Sequence, residues 1–272
     1  MSFSLADVAR VAHTLWPLDG AEEWDTPGLI SGDPSQPVRS IHLAVDAVAD
    51  TVDEAIAVGS DLLLTHHPLL LRGVTSVTED RYKGALLSRL IRARCSLLAA
   101  HTNADVVADG VSDIIAQRLG LVDTIPITDS VAPGTGIGRV GRLAHPTSLG
   151  HLAHSLLALL PATASGVRVA GDYSAPVTTV ALCGGAGDSL LRNFRVQAAD
   201  VYITSDLRHH PASEAREQAL CSGGPALIDV SHWASEWLWL EPAAAQLRKA
   251  LPGMVVTVSD LNTDPWDFAV VH

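Results

Sequence analysis

"GSDLLLTHHP", residues 59–68, decides the fold. Its three consecutive leucines form a short, unbroken apolar run, which reads as a strand buried on both faces, as in a parallel sheet. The run ends abruptly in a threonine, two histidines and a proline, and Pro68 enforces a turn by restricting the residue before it. The same design recurs twice. "SLLAA" (96–100) runs into "HTNAD" (101–105), and "PALIDV" (225–230) runs into "SHWASE" (231–236). Between the early strands lie helical stretches, "DTVDEAIAVG" (50–59), "DRYKGALLSRLIRARC" (80–95) and "GVSDIIAQRLGL" (110–121). Strand and helix alternate, which predicts an α/β protein with mixed, mostly parallel sheets.

The pattern restarts after a stretch rich in Gly, Pro, Ser and Thr. "VTTVALCGGAG" (177–187) reads as a strand entering a glycine turn, with a helix expected over "DSLLRNF" (188–194). "ADVYITSDLRHHP" (199–211) reads as a strand ending in a second double histidine, and "MVVTVSD" (254–260) as the last strand. The halves echo each other, each placing His-x-x-x-acid after its later strand: His101 to Asp105, and His232 to Glu236. Two such coincidences in the same order predict a duplicated α/β unit. The approximate division falls between residues 1–125, holding the HHP and HTNAD clusters, and 126–272, holding GGAG and HWASE.

Composition narrows the function. Thirty acidic against 18 basic residues give a formal charge of −12, which argues against a nucleic-acid partner because phosphate contacts need a basic face. A phosphate-bearing small molecule is still compatible, since bound divalent ions reverse the local sign. Three cysteines, none in a Cys-x-x-Cys pair, read as thiols of a reducing compartment. The first 18 residues read as an amphipathic helix without a basic leader, and no apolar run has membrane-spanning length. A cytoplasmic protein without membrane contact is expected.

Imidazoles and carboxylates crowded at strand ends are what a metal site needs. His66 and His67, His101 and Asp105, and His232 and Glu236 are the candidates, weighed against capping histidines and solvent-facing ion pairs. His209 and His210 follow an interrupted strand and stand as outer candidates. No thiolate belongs to the set, so the donors suit Zn²⁺, Mn²⁺, Fe²⁺ or Co²⁺. Gly184-Gly185-Ala186-Gly187 is open to two readings, a phosphate-holding turn or tight strand–helix packing. Trp24, Asp25, Gly28 and Asp33 read as a loop over the crevice.

At these residues the chain resembles the NIF-three-like family of dinuclear-metal hexameric proteins, also called GTP cyclohydrolase 1 type 2 homologs. The resemblance runs through "WDTPGL" (24–29), "LAVDAV" (43–48), "LLLTHHP" (62–68), "HTNADVVADGVSD" (101–113), "CGGAG" (183–187), "DVYITSDLRHH" (200–210), "DVSHWASE" (229–236) and "DPW" (264–266). Thr26-Pro27 stands where the family usually has Asn-Val, and "ITSD" where it has Thr-Gly-Glu. The resemblance implies two intertwined α/β repeats and a toroidal homohexamer. It implies two divalent ions per chain at His66, His67, Asp105, His232 and Glu236, with Glu236 or solvent bridging them. His101 is implied as an additional ligand or neighbouring group.

Two functional readings are open. One is a metal-dependent hydrolase of the cyclohydrolase or phosphoesterase type, acting on a phosphorylated or nucleotide-like small molecule, with Glu236 and His101 as catalytic groups. The other is a non-catalytic metal-binding hexameric scaffold or metal-handling protein.

Overall fold

The computed structural model describes residues 3–130 and 132–270. The chain divides into two units, one of Met1–Val107 with Leu240–Thr263, the other of Ala108–Trp239 with Asp264–His272. Each is built on its own sheet.

In the first unit the strand Leu62–Thr65 lies between Ser40–Ala44 and Ser96–Ala99, parallel to both. All four of its residues are fully buried, as the unbroken leucine run predicts. Val255–Val258 extends the sheet in parallel beside Ser40–Ala44, and Gly28–Ser31 closes the other edge antiparallel to Ser96–Ala99. Helices Ala49–Ala57 and Tyr82–Ala93 carry the chain between the parallel strands. Their apolar faces supply Val52, Ala55, Leu86, Leu87 and Leu90, which pack with Leu63 and Leu97. The register aligns the strand ends. Thr65 stands opposite both Ala44 and Ala99, so the three strands finish in line and the loops leaving them start side by side.

The second unit repeats the plan around Pro176–Ala186, Val201–Ser205 and Ala226–Val230, three parallel strands in sequence order. Antiparallel neighbours flank them. Arg168–Ala170 pairs with Ala226–Val230, while Arg139–Ser148 pairs with Pro176–Ala186 and then with Leu121–Ile125. The core sets Tyr202 and Ala181 against Leu191, Val196 and Leu227. The Tyr202 hydroxyl satisfies itself on the Gly187 carbonyl at 2.9 Å. The architecture is thus mixed α/β with mostly parallel or mixed sheets, as expected. Among the described residues no helix is long and apolar enough to cross a membrane.

Two local expectations differ from the structure. The strand at 177 continues through both glycines to Ala186, and a single 3-10 turn, Asp188–Leu190, replaces the expected helix. A side chain at Gly184 would stand 2.5 Å from Val111, so close packing against helix Val111–Arg118 excludes one there. His209 and His210 do not end a strand. That strand stops at Ser205, Asp206 takes a left-handed φ of 59°, and the two histidines open the helix His209–Ser222.

Cys95 and Cys183 are buried and Cys221 is exposed. Burial pushes the Cys95 thiol up to about 11, a hydrogen bond from backbone opposing only part of it. At about pH 8 a thiol reagent should therefore modify Cys221 alone in the folded chain and all three cysteines after denaturation. Peptide mass spectrometry reads the outcome, and rapid labelling of Cys95 in the folded protein would contradict the packing.

Candidate metal centre

The loops after the first unit's aligned strands carry three imidazoles. Main-chain bonds hold them: His66 N–H donates to the Ala44 carbonyl at 3.1 Å and His67 N–H to Val45 at 2.9 Å. The Thr65 hydroxyl donates to the His67 carbonyl at 2.8 Å and closes the turn that Pro68 requires. The next loop is fixed by Asn103, which accepts from His101 N–H at 2.9 Å and donates to the Trp16 carbonyl at 2.8 Å. Ring centroids of His66, His67 and His101 lie 5.2 to 5.4 Å apart, and one nitrogen from each falls within 4.8 Å of the others. The helical turn Thr102–Asp105 brings the Asp105 carboxylate to 3.7 Å from His66 Nε2.

The other ring nitrogen of each histidine is engaged. His66 Nδ1 lies 2.8 Å from the Ala100 carbonyl, which can only accept, so the proton sits on Nδ1 and a neutral ring carries its lone pair at Nε2. His67 Nδ1 meets Asp46 at 2.7 Å, and His101 Nδ1 meets Asp25 at 2.8 Å. Asp25 also accepts from Thr102, through its N–H at 3.0 Å and its hydroxyl at 2.5 Å. Burial alone would raise the Asp25 carboxyl; the hydrogen bonds from His101 and Thr102 outweigh it and hold the group at about 2. Acceptors behind Nδ1 fix the tautomer and ring orientation of metal-binding histidines. The donor set, imidazole Nε2 atoms with a carboxylate beside them, fits a first-row divalent ion.

The second unit offers a smaller set. His232 and Glu236 open the helix His232–Ala250, and their i, i+4 spacing puts them on one face, with His232 Nε2 2.9 Å from Glu236 Oε1. Again Nδ1 is held, by Asp206 at 2.7 Å. Burial lowers the His232 pKa, but the Glu236 and Asp206 carboxylates outweigh it and push it up to about 11. A proton at Nε2 thus does the charge-neutralising work that a cation would do there. Gly185 forms the floor: a Cβ on it would stand 2.6 Å from Glu236 Oε1 and 3.3 Å from His232 Nε2. Its N–H donates to Ser235 Oγ at 2.9 Å. That close approach is the second reason the glycine run stays in the sheet.

Of the residues expected from sequence, the first unit brings together His66, His67, His101 and Asp105, and the second pairs His232 with Glu236. His209 and His210 sit elsewhere in the second unit, lining an open cleft of about 1480 Å³ in which Arg208 pairs with Asp188. Sequence reasoning missed the roles of Asp25, Asp46 and Asp206. Asp46 was visible only as part of "LAVDAV", and Asp206 only as a break in a strand.

The chain matches the Duf34/NIF3 (NGG1p interacting factor 3) family over residues 3–265. It belongs to that family. A Streptomyces coelicolor relative called GTP cyclohydrolase 1 type 2 homolog is 45% identical over 269 residues, covering 96% of this chain and 93% of the relative. A Mycobacterium tuberculosis relative of the same name is 36% identical, covering 98% and 97%. Among solved structures, a Staphylococcus aureus hypothetical protein superposes with a TM-score of 0.87 at 27% identity, covering 98% of this chain and 99% of that one. A Bacillus cereus protein related to NIF3 gives 0.88 at 22% identity, covering 98% and 99%, and shares the fold.

Gly185 and Gly59 have nearly the same backbone, φ 69° and 70°, but nothing lies within 4 Å of a Cβ at Gly59. Both Gly→Ala variants should therefore lose roughly 1–2 kcal/mol from left-handed strain. Only Gly185→Ala should also weaken divalent-ion binding, since its methyl group displaces Glu236. Thermal unfolding and metal titration of both variants check this, and equal metal affinity would refute the cradle.

Proposed function

We propose that the chain is a hydrolase that uses two divalent ions to act on a phosphorylated or nucleotide-like small molecule. One observation carries this reading: His66, His67 and His232 each commit Nδ1 to an oxygen acceptor, which leaves Nε2 to serve as a ligand. The ligands are His66, His67, Asp105, His232 and Glu236. His232 and Glu236 alone are too few for a divalent ion, because catalytic sites of this type use three protein ligands. The ligand set that the sequence resemblance implies supplies the remaining donors, His66, His67 and Asp105. Bound there, the ions supply Lewis acidity and lower the pKa of water.

The chain's own groups do the rest. Glu236 positions the ions, and its burial keeps bulk water from competing for its carboxylate. His101, steadied by Asp25, is placed to hold or pass a proton beside the ligands. The name shared by the Streptomyces and Mycobacterium relatives supports a nucleotide-like substrate. The net charge of −12 supports a small molecule over nucleic acid. A cytoplasmic location and a homohexameric ring complete the proposal, both resting on sequence and resemblance.

Elemental analysis with a nucleotide and phosphoester hydrolysis screen in Mn²⁺ or Zn²⁺ tests it. About two ions per chain are expected. Glu236→Ala and His67→Ala should lower occupancy and abolish turnover while circular dichroism stays native. Full occupancy without turnover on any substrate would move the protein to the metal-binding scaffold, and no metal after reconstitution would refute the site. Light scattering should return the mass of six chains; a monomer would overturn the ring.

A further inference from the structure

The segment after the last strand of the first unit is fastened at successive points. Ser259 N–H bonds to the Leu43 carbonyl at 2.8 Å, and its hydroxyl donates to Glu54. Glu54 in turn lies 3.0 Å from Nε2 of buried His42, whose Nδ1 meets Thr257 Oγ1 at 2.8 Å. This network pins the start of the segment to the sheet. At its far end Asp264 accepts from the Ser231 hydroxyl, and Ser231 Oγ accepts from Ala234 N–H at 3.2 Å, capping the helix that starts at His232. Between the two anchors Thr263 donates its hydroxyl to Asp46 Oδ2 at 2.5 Å.

Asp46 is the residue that holds His67. Its Oδ1 takes the His67 Nδ1 proton at 2.7 Å, so the two oxygens serve different partners. A carboxylate held at one oxygen only turns easily, because the Asp χ2 torsion is broad. The Thr263 hydroxyl removes that freedom and fixes the plane in which the His67 proton is received.

The geometry points to Thr263 as a positioning residue for His67: acting through Asp46, it sets how well that imidazole binds a divalent ion. This inference rests on the metal reading above and extends it to a residue that touches no ligand nitrogen. The segment is more than an edge strap, because its anchor on the first unit's sheet leads into one hydroxyl bonded to one carboxylate.

Co²⁺ titration of the full chain tests it, with the visible absorption band reporting the ligand field and a chelator competition giving the affinity. Thr263→Val removes the hydroxyl at nearly constant shape and should weaken Co²⁺ binding about tenfold or more with an altered band. Thr263→Ala should do the same, so a packing defect peculiar to valine does not decide the result. Thr263→Ser keeps the hydroxyl and should restore both affinity and band, which a purely structural role for the side chain would not require. Both hydroxyl-free variants binding Co²⁺ like the parent, with an unchanged band, would overturn this inference and leave the metal reading standing. A parent chain that binds no Co²⁺ would overturn both.

Discussion

An imidazole serves a cation well only when one nitrogen offers a lone pair and the other is held so that the ring cannot turn or exchange tautomers. In this protein that requirement is met by the sheet. Because Thr65 is in register with Ala44 and Ala99, the loops carrying Asp46, His66 with His67, and Ala100 with His101 leave the first unit's sheet from adjacent points. The acceptor for one loop's histidine is then found on its neighbour: Ala100 O for His66, Asp46 for His67. A main-chain carbonyl behind His66 leaves that ring a single neutral tautomer. The second unit reaches the same end with Asp206 behind His232, on the loop after its own middle strand.

Gathering these groups has an energetic cost that the rest of each unit offsets. A buried polar atom left unsatisfied costs roughly 1–3 kcal/mol, and Asp25 and Glu236 both have nearly covered side chains. Asp25 is compensated by three hydrogen bonds from His101 and Thr102. The histidine-bearing loops are held from below by strands such as Leu62–Thr65, whose fully buried leucines each contribute about 1.5–3 kcal/mol. Glycine completes the fit. At Gly185 the absence of a side chain lets a strand approach the Glu236 carboxylate directly.

Much of this was legible in the sequence because it is local. A short apolar run ended by polar residues marks a buried strand and its exit, and the ligand candidates sit at those exits. The orienting carboxylates are a different matter. Asp46 and His67 are 21 residues apart, Asp206 and His232 are 26, and Asp25 and His101 are 76, so no spacing rule links them before the strands are assembled. Of the two readings of the glycine run, the structure takes the tight strand–helix packing, with Gly184 against Val111. The expected turn gives way to a strand because Val111 and Glu236 demand small residues inside it. In the sequence the second double histidine is only an outer candidate after an interrupted strand, and the interruption is real. His209-His210-Pro211 copies His66-His67-Pro68 in letters, yet Asp206 breaks its strand early and Pro211 is accommodated in a helix's first turn.

With Nδ1 held, the proposed site has these histidines bind a cation through Nε2. Isotope-edited NMR of the imidazole nitrogens in the Zn²⁺-loaded chain reads that arrangement atom by atom. The metal-induced shift should fall on Nε2 of His66, His67 and His232 while each keeps its proton on Nδ1. Coordination through Nδ1 at these residues, or rings that still exchange tautomers with Zn²⁺ present, would contradict it.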